Sequence, residues 1–147
     1  MQVKKVRSIF TRLGMQGDFG WMIEQPQYAR SLFIFNDNEA QFEDFHANKP
    51  SGLRAGGGNA IIRPYQAGMQ PRAAGIPTGN GSGYKQLNAH VLNVIDMAID
   101  HIKNLLASGD YDEVIYSYKP DENTLGTGIY DVDISVRDYI FNALENM

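Results

Sequence analysis

The sequence predicts an α/β fold, a sandwich built on a largely parallel or mixed sheet, in one domain over residues 1–147. Three observations carry this expectation. Short apolar runs of strand character, such as SLFIF at Ser31–Phe35, alternate along the chain with helical segments. One segment keeps helical spacing throughout: Val91, Leu92, Ile95, Ala98, Ile99, Ile102, Leu105 and Leu106 recur over Asn88–Ser108. Hydrophobic residues make up 43% of the chain and charged residues 20%, an ordinary globular balance. A chain of 147 residues can bury a core without disulfide or metal staples.

Met1–Phe10 reads as a first strand, with Val3, Val6 and Ile9 on apolar positions. Gly14, Gly17 and Gly20 break the next stretch. Ser31–Phe35 is a buried strand closed by the turn-like Asn36-Asp37-Asn38. Glu39–His46 forms a short helix with Phe42 and Phe45 three apart. Ala60–Arg63 is a brief strand or a helix start, limited by Pro64. Residues 64–87 carry three prolines and five glycines and read as loop. The long helix ends at Gly109, and Asp112–Tyr118 comes next as a strand. After a loop with Pro120 and Gly126, the last helix runs over Asp133–Asn146, capped by Asp133 or Ser135.

Charge and composition narrow the function. There is no cysteine, so disulfides, thiolate nucleophiles and Cys-ligated zinc are excluded, and a reducing cytoplasm is the expected compartment. MQVKKVRSIF lacks the apolar core of a signal peptide, and no stretch approaches ~20 apolar residues, so no membrane association is expected. The formal net charge of −4 argues against bulk nucleic-acid binding. His46, His90 and His101 lack metal spacing; neither a metal nor a cofactor is expected. Yet from Phe45 to Ile95 there is no acidic residue, while Lys49, Arg54, Arg63, Arg72 and Lys85 are all present. Nine of the fifteen glycines fall in the same stretch. A glycine-rich, purely basic middle suits an anionic ligand, with Arg63 and Arg72 expected to lie in solvent.

Two glycine loops sharpen this expectation: Gly56-Gly57-Gly58-Asn59, and Gly126-Thr127-Gly128-Ile129-Tyr130 between a strand and the last helix. Missing side chains let an anion reach backbone amides, and strand–loop–helix geometry converges them. Neither loop fits the dinucleotide or P-loop fingerprints.

The order of motifs resembles the macrodomain family, the ADP-ribose-binding α/β/α module. Gln16-Gly17-Asp18-Phe19 is similar to its QGDI segment, and Phe33–Asn38 to its IVNAAN strand end. Gly56-Gly57-Gly58-Asn59-Ala60-Ile61 is similar to GGGVAGAI. Ile76-Pro77-Thr78-Gly79, with Gly83-Tyr84, is similar to the CPTGEA…GY segment, and Leu125–Tyr130 to the STGIYG loop. The likeness runs in family order from about residue 16 to 130.

The resemblance implies a three-layer α/β/α sandwich with a mixed, largely parallel sheet. It implies a site for ADP-ribose or a related NAD-derived diphosphate nucleotide, free or attached to a modified protein or nucleic acid. In that frame Asp18 accepts from the adenine amine, with Phe19 beside it. Gly56, Gly57, Gly58, Asn59, Thr78, Gly79, Gly126, Thr127, Gly128 and Ile129 surround the phosphates, and Tyr130 packs over the distal ribose. Asn36 and Asn38 stand by that ribose and are the candidate catalytic residues if the protein is an ADP-ribosyl hydrolase. The family's NAAN is here the shorter NDN, and no aspartate comes after the first glycines. Binding therefore carries over better than hydrolysis. A phage-type protein that sequesters an NAD-derived signal, or an assembly protein whose loops bind nothing, are the remaining alternatives.

Overall fold

The computed structural model describes residues 3–147, so Met1 and Gln2 of the expected first strand lie outside the described residues. The chain forms β1 (Lys4–Ser8), α1 (Phe19–Met22), β2 (Ser31–Asn38), α2 (Glu39–His46), β3 (Ala73–Asn80) and β4 (Ser82–Gly83). It continues through α3 (Ala89–Leu106), β5 (Glu113–Lys119), β6 (Thr124–Leu125) and α4 (Ile134–Glu145). The fold is α/β. Five strands lie in the order β1-β5-β2-β3-β4, and every contact among β1, β5, β2 and β3 is parallel. The short β4 and β6 pair antiparallel with β3 and β5.

Alternation along the strands explains why both faces of the sheet are covered. Leu32 and Ile34 face a cluster with Ala74, Ile76, Val114 and Tyr116 that α3 and α4 complete. Phe33 and Phe35 face the other way, against Phe19, Met22 and Ile62. Side chains along a strand alternate between faces, so a continuous apolar run such as LFIF belongs to a strand buried on both.

Three expectations are corrected. Residues 64–87 are not all loop, because β3 lies within them, and all of it but Asn80 is buried. Its composition, AAGIPTGN, hides it, since small residues replace branched ones where a helix and a 3₁₀ segment close in. Pro77 is tolerated because β4 pairs only with Gly79 and Asn80, leaving most of one edge of β3 unpaired. Asn36-Asp37-Asn38 is likewise the end of β2 rather than a turn. The Ala60–Arg63 segment belongs to a 3₁₀ helix, Gly58–Gln66, that passes through Pro64 instead of stopping there.

The helices obey their sequence signals. Asn38, Asn88 and Asp133 cap α2, α3 and α4, each accepting from a first-turn amide. Gly109 lies just past α3 with φ at +80°, which favours glycine.

Candidate functional site

The carboxyl ends of β2 and β3 open into a cleft, the usual ligand position in open α/β sheets. Its volume is about 310 Å³, and four separate stretches of sequence line it. β2 supplies Asn36, Asp37 and Asn38; β3 and the turn after it supply Thr78, Gly79 and Gly81–Gly83. The segment Arg54–Gly57, with Ala60 and Arg63, forms the opposing rim, and Tyr130 closes one side.

Within this cleft the two candidate catalytic asparagines are already engaged. Asn36 Nδ2 donates to the Gly126 carbonyl at 2.7 Å, tethering the second glycine loop to β2. Asn38 Oδ1 accepts from the Gln41 amide at 2.9 Å and caps α2. Both remain cleft-lining, but each holds structure as well.

Between them Asp37 turns to the opposite face, as strand alternation requires. Its carboxyl meets Arg63, whose Nε and Nη2 donate to Oδ1 at 3.1 and 2.7 Å. Arg63 is 5% exposed, which corrects the expectation that it lies in solvent. Arg72 is corrected too: it is partly buried and donates to the backbone carbonyls of Ser31 and Tyr28. Burial lifts the Asp37 carboxyl above its ordinary range, against the lowering pull of Arg63. Arg54 is the free cation of the rim: it is exposed, and no carboxylate lies within ion-pair distance among the described residues.

The three consecutive glycines have three different reasons. A Cβ on Gly56 would lie 2.7 Å from Arg63 Nη1, so that residue is small to admit the guanidinium. Gly58 has φ at +55°, a backbone conformation that side chains resist. Gly57 has neither reason: its φ is −82° and nothing lies within 4 Å of the Cβ position. Its amide finds no acceptor among the described residues, and the residue lines the cleft.

Several expected contacts stand outside the cleft. Phe19 is fully buried, edge-on to Phe33 with ring centroids 5.2 Å apart. Asp18 accepts from the Gly14 amide at 2.7 Å. Asn59 ties the first loop to that region, accepting from the Phe19 amide at 2.9 Å and donating to the Gly17 carbonyl at 3.3 Å. Gly58, Gly126, Thr127, Gly128 and Ile129 do not line the cleft, and Ile129 is 96% exposed. The amides of Thr127, Gly128 and Ile129 have no acceptor among the described residues.

Asp37 and Gln41 are cleft residues that sequence reasoning missed, while Arg54 and Arg63 were named only as part of the basic middle. A signal for Asp37 existed. Counting by twos from Phe33 and Phe35 puts residue 37 on their face once the strand is extended. The chain matches no family model, no curated protein and no solved structure.

Proposed function

We propose that the protein binds ADP-ribose or a related NAD-derived diphosphate nucleotide, in a three-layer α/β/α sandwich of macrodomain type. One observation carries the proposal. Asn36–Asn38, Gly56–Gly57, Thr78–Gly79 and Tyr130, distant in sequence and each part of a motif similar to that family's, line one cleft at the strand ends. Its chemistry suits a phosphate. The unspent Gly57 amide and the unpaired Arg54 guanidinium offer donors and positive charge. Asp37, already paired, is the only carboxylate lining the cleft among the described residues.

The cleft volume of about 310 Å³ lies at the lower end of the roughly 300–1,000 Å³ range of small-molecule sites. On this reading the cleft holds one end of the ligand, a phosphate and its adjoining sugar, with the remainder lying across the neighbouring loops. Binding without rapid turnover is the favoured form, because Asn36 and Asn38 spend side-chain groups on the Gly126 carbonyl and the α2 cap.

Thermal-shift titration against ADP-ribose, its cyclic isomers, NAD, AMP and ADP tests this. A ligand bound only by the native state stabilises it by roughly 2.7 kcal/mol at ~100 Kd. ADP-ribose is expected to raise Tm. A flat response to ADP-ribose alongside a shift with another nucleotide would reassign the ligand, and no shift with any would remove the proposal.

A further inference from the structure

The ion pair with the most deeply buried side chains is built into the rim of the cleft: the Asp37 side chain is fully covered and that of Arg63 is 6% exposed. Arg63 reaches in two directions. Nε and Nη2 grip Asp37 Oδ1, while Nη1 donates to the Arg54 carbonyl at 2.8 Å. The same Nη1 packs against Gly56, where a Cβ would come within 2.7 Å. One guanidinium thus fixes both ends of the Arg54–Gly56 segment to the tip of β2. The Gly56 amide, donating to the Ala60 carbonyl at 3.0 Å, closes the loop behind it.

Packing alone does not account for this carboxylate. Asp37 Oδ1 accepts from Arg63 twice and from the Asn38 amide at 2.8 Å. Oδ2 is buried with no partner among the described residues, in a space kept clear by Gly75, whose Cβ would stand 2.7 Å away. An unpartnered buried oxygen costs stability, and apolar side chains of similar volume often replace a buried ion pair without loss. What the carboxylate supplies that an apolar group would not is direction: it fixes the plane of the guanidinium.

We propose that Asp37 and Arg63 are a positioning pair that sets the anion-binding geometry of the rim. Asp37 orients Arg63; Arg63 holds the Arg54 carbonyl and the Gly56 α-carbon; and this places the Arg54 side chain and the Gly57 amide where an anion meets both. The proposal rests on the reading of the cleft as a phosphate site. Both residues line the cleft, but their side chains are buried against each other, so the pair acts on an anion through the rim it holds.

The sign of one mutant effect separates positioning from plain electrostatics. Asp37 is a negative charge beside an anion site. If charge alone mattered, Asp37→Asn would tighten anion binding; if the pair positions the rim, it weakens binding, because the amide oxygen left at Oδ1 is a neutral and weaker acceptor for Nε and Nη2 and holds the guanidinium less firmly. Arg63→Lys keeps the charge and loses the planar fork, and is expected to weaken binding as well.

Titration calorimetry with ADP-ribose, and separately with inorganic pyrophosphate, on wild type, Asp37→Asn and Arg63→Lys tests the pair. The expected result is an affinity loss of about tenfold or more in both folded variants. Tighter binding by Asp37→Asn, or unchanged affinity with only a lowered Tm, would overturn it. Hydrogen exchange on the unliganded proteins supplies an arm independent of any ligand. The Gly56 amide is expected to exchange faster in Asp37→Asn and Arg63→Lys, beyond any change along β2. Unchanged exchange there would also overturn the pair. Wild type that binds neither probe, but shows this exchange pattern in its variants, would remove the nucleotide proposal and leave the positioning intact. Should Asp37→Asn fail to fold, Arg63→Lys decides both arms.

Discussion

The two glycine loops share a sequence signature and differ in what holds them. In the first loop Gly56 packs on Arg63, and Gly56 and Gly57 line the cleft. Gly126–Tyr130 is tied at Gly126 by the Asn36 side chain and the Ser117 carbonyl, keeps three amides unspent and contributes only Tyr130 to the lining. The first is a braced rim of the cleft, and the second lies outside it except at Tyr130. Glycine therefore means different things within one motif: room for an arginine at Gly56, backbone handedness at Gly58 and Gly128, and an open approach at Gly57.

The strongest way to break this contrast is to remove the brace. Arg63→Met leaves the Asp37 carboxyl buried and uncompensated, an effect of about 3–5 kcal/mol. Urea unfolding measures it, and a loss below about 1 kcal/mol would mean the rim is not braced as described.

Gly56→Val is expected to come next, at roughly 1–3 kcal/mol, because the added carbons must displace the guanidinium. The same substitution in open space would do far less, so a near-neutral result would show that the loop moves freely off Arg63.

The second loop answers to Gly128→Glu. Its φ of +62° makes any side chain strained, at roughly 1–2 kcal/mol. If the second loop covers a bound anion, the added charge also weakens ADP-ribose binding, by about tenfold. Calorimetry showing undiminished affinity in the folded variant would confine the anion to the first loop.

Asn38→Ala separates structural from chemical duty at the strand end both loops approach. Loss of the α2 cap costs about 1 kcal/mol by thermal unfolding, while ADP-ribose binding is expected to persist. Rapid release of ADP-ribose from a modified protein by wild type, abolished in this variant, would instead establish hydrolysis.

Much of the fold was legible in the sequence, and the failures have physical causes. α2 matches its expected bounds, and α3 and α4 lie within a residue or two of theirs, because apolar spacing and Asn or Asp caps are local signals. β3 was missed because its neighbours, not its own residues, make it a strand. Ala73, Ala74 and Gly75 are small where covering elements approach closely, and Pro77 sits where pairing on one edge is already lost. The site was half legible for the same reason. Glycines and asparagines announce turns by themselves. The Asp37–Arg63 pair joins residues 26 apart and exists only once β2 and the 3₁₀ segment Gly58–Gln66 are docked. Phe19 shows the converse, a motif position drawn into the core by Phe33.

Gly57→Ala tests the central claim most directly. Nothing lies within 4 Å of the Cβ position and φ is −82°, so the folded protein has room for alanine. A weaker N-cap is offset by an unfolded-chain gain of roughly 0.4–1 kcal/mol, leaving stability close to wild type. If Gly57 is glycine because a phosphate comes up to its amide, calorimetry will show ADP-ribose affinity reduced by about tenfold or more at unchanged Tm. Wild-type affinity in the folded Gly57→Ala protein would contradict the account, because the one glycine of the rim with no structural need would then have no ligand need either.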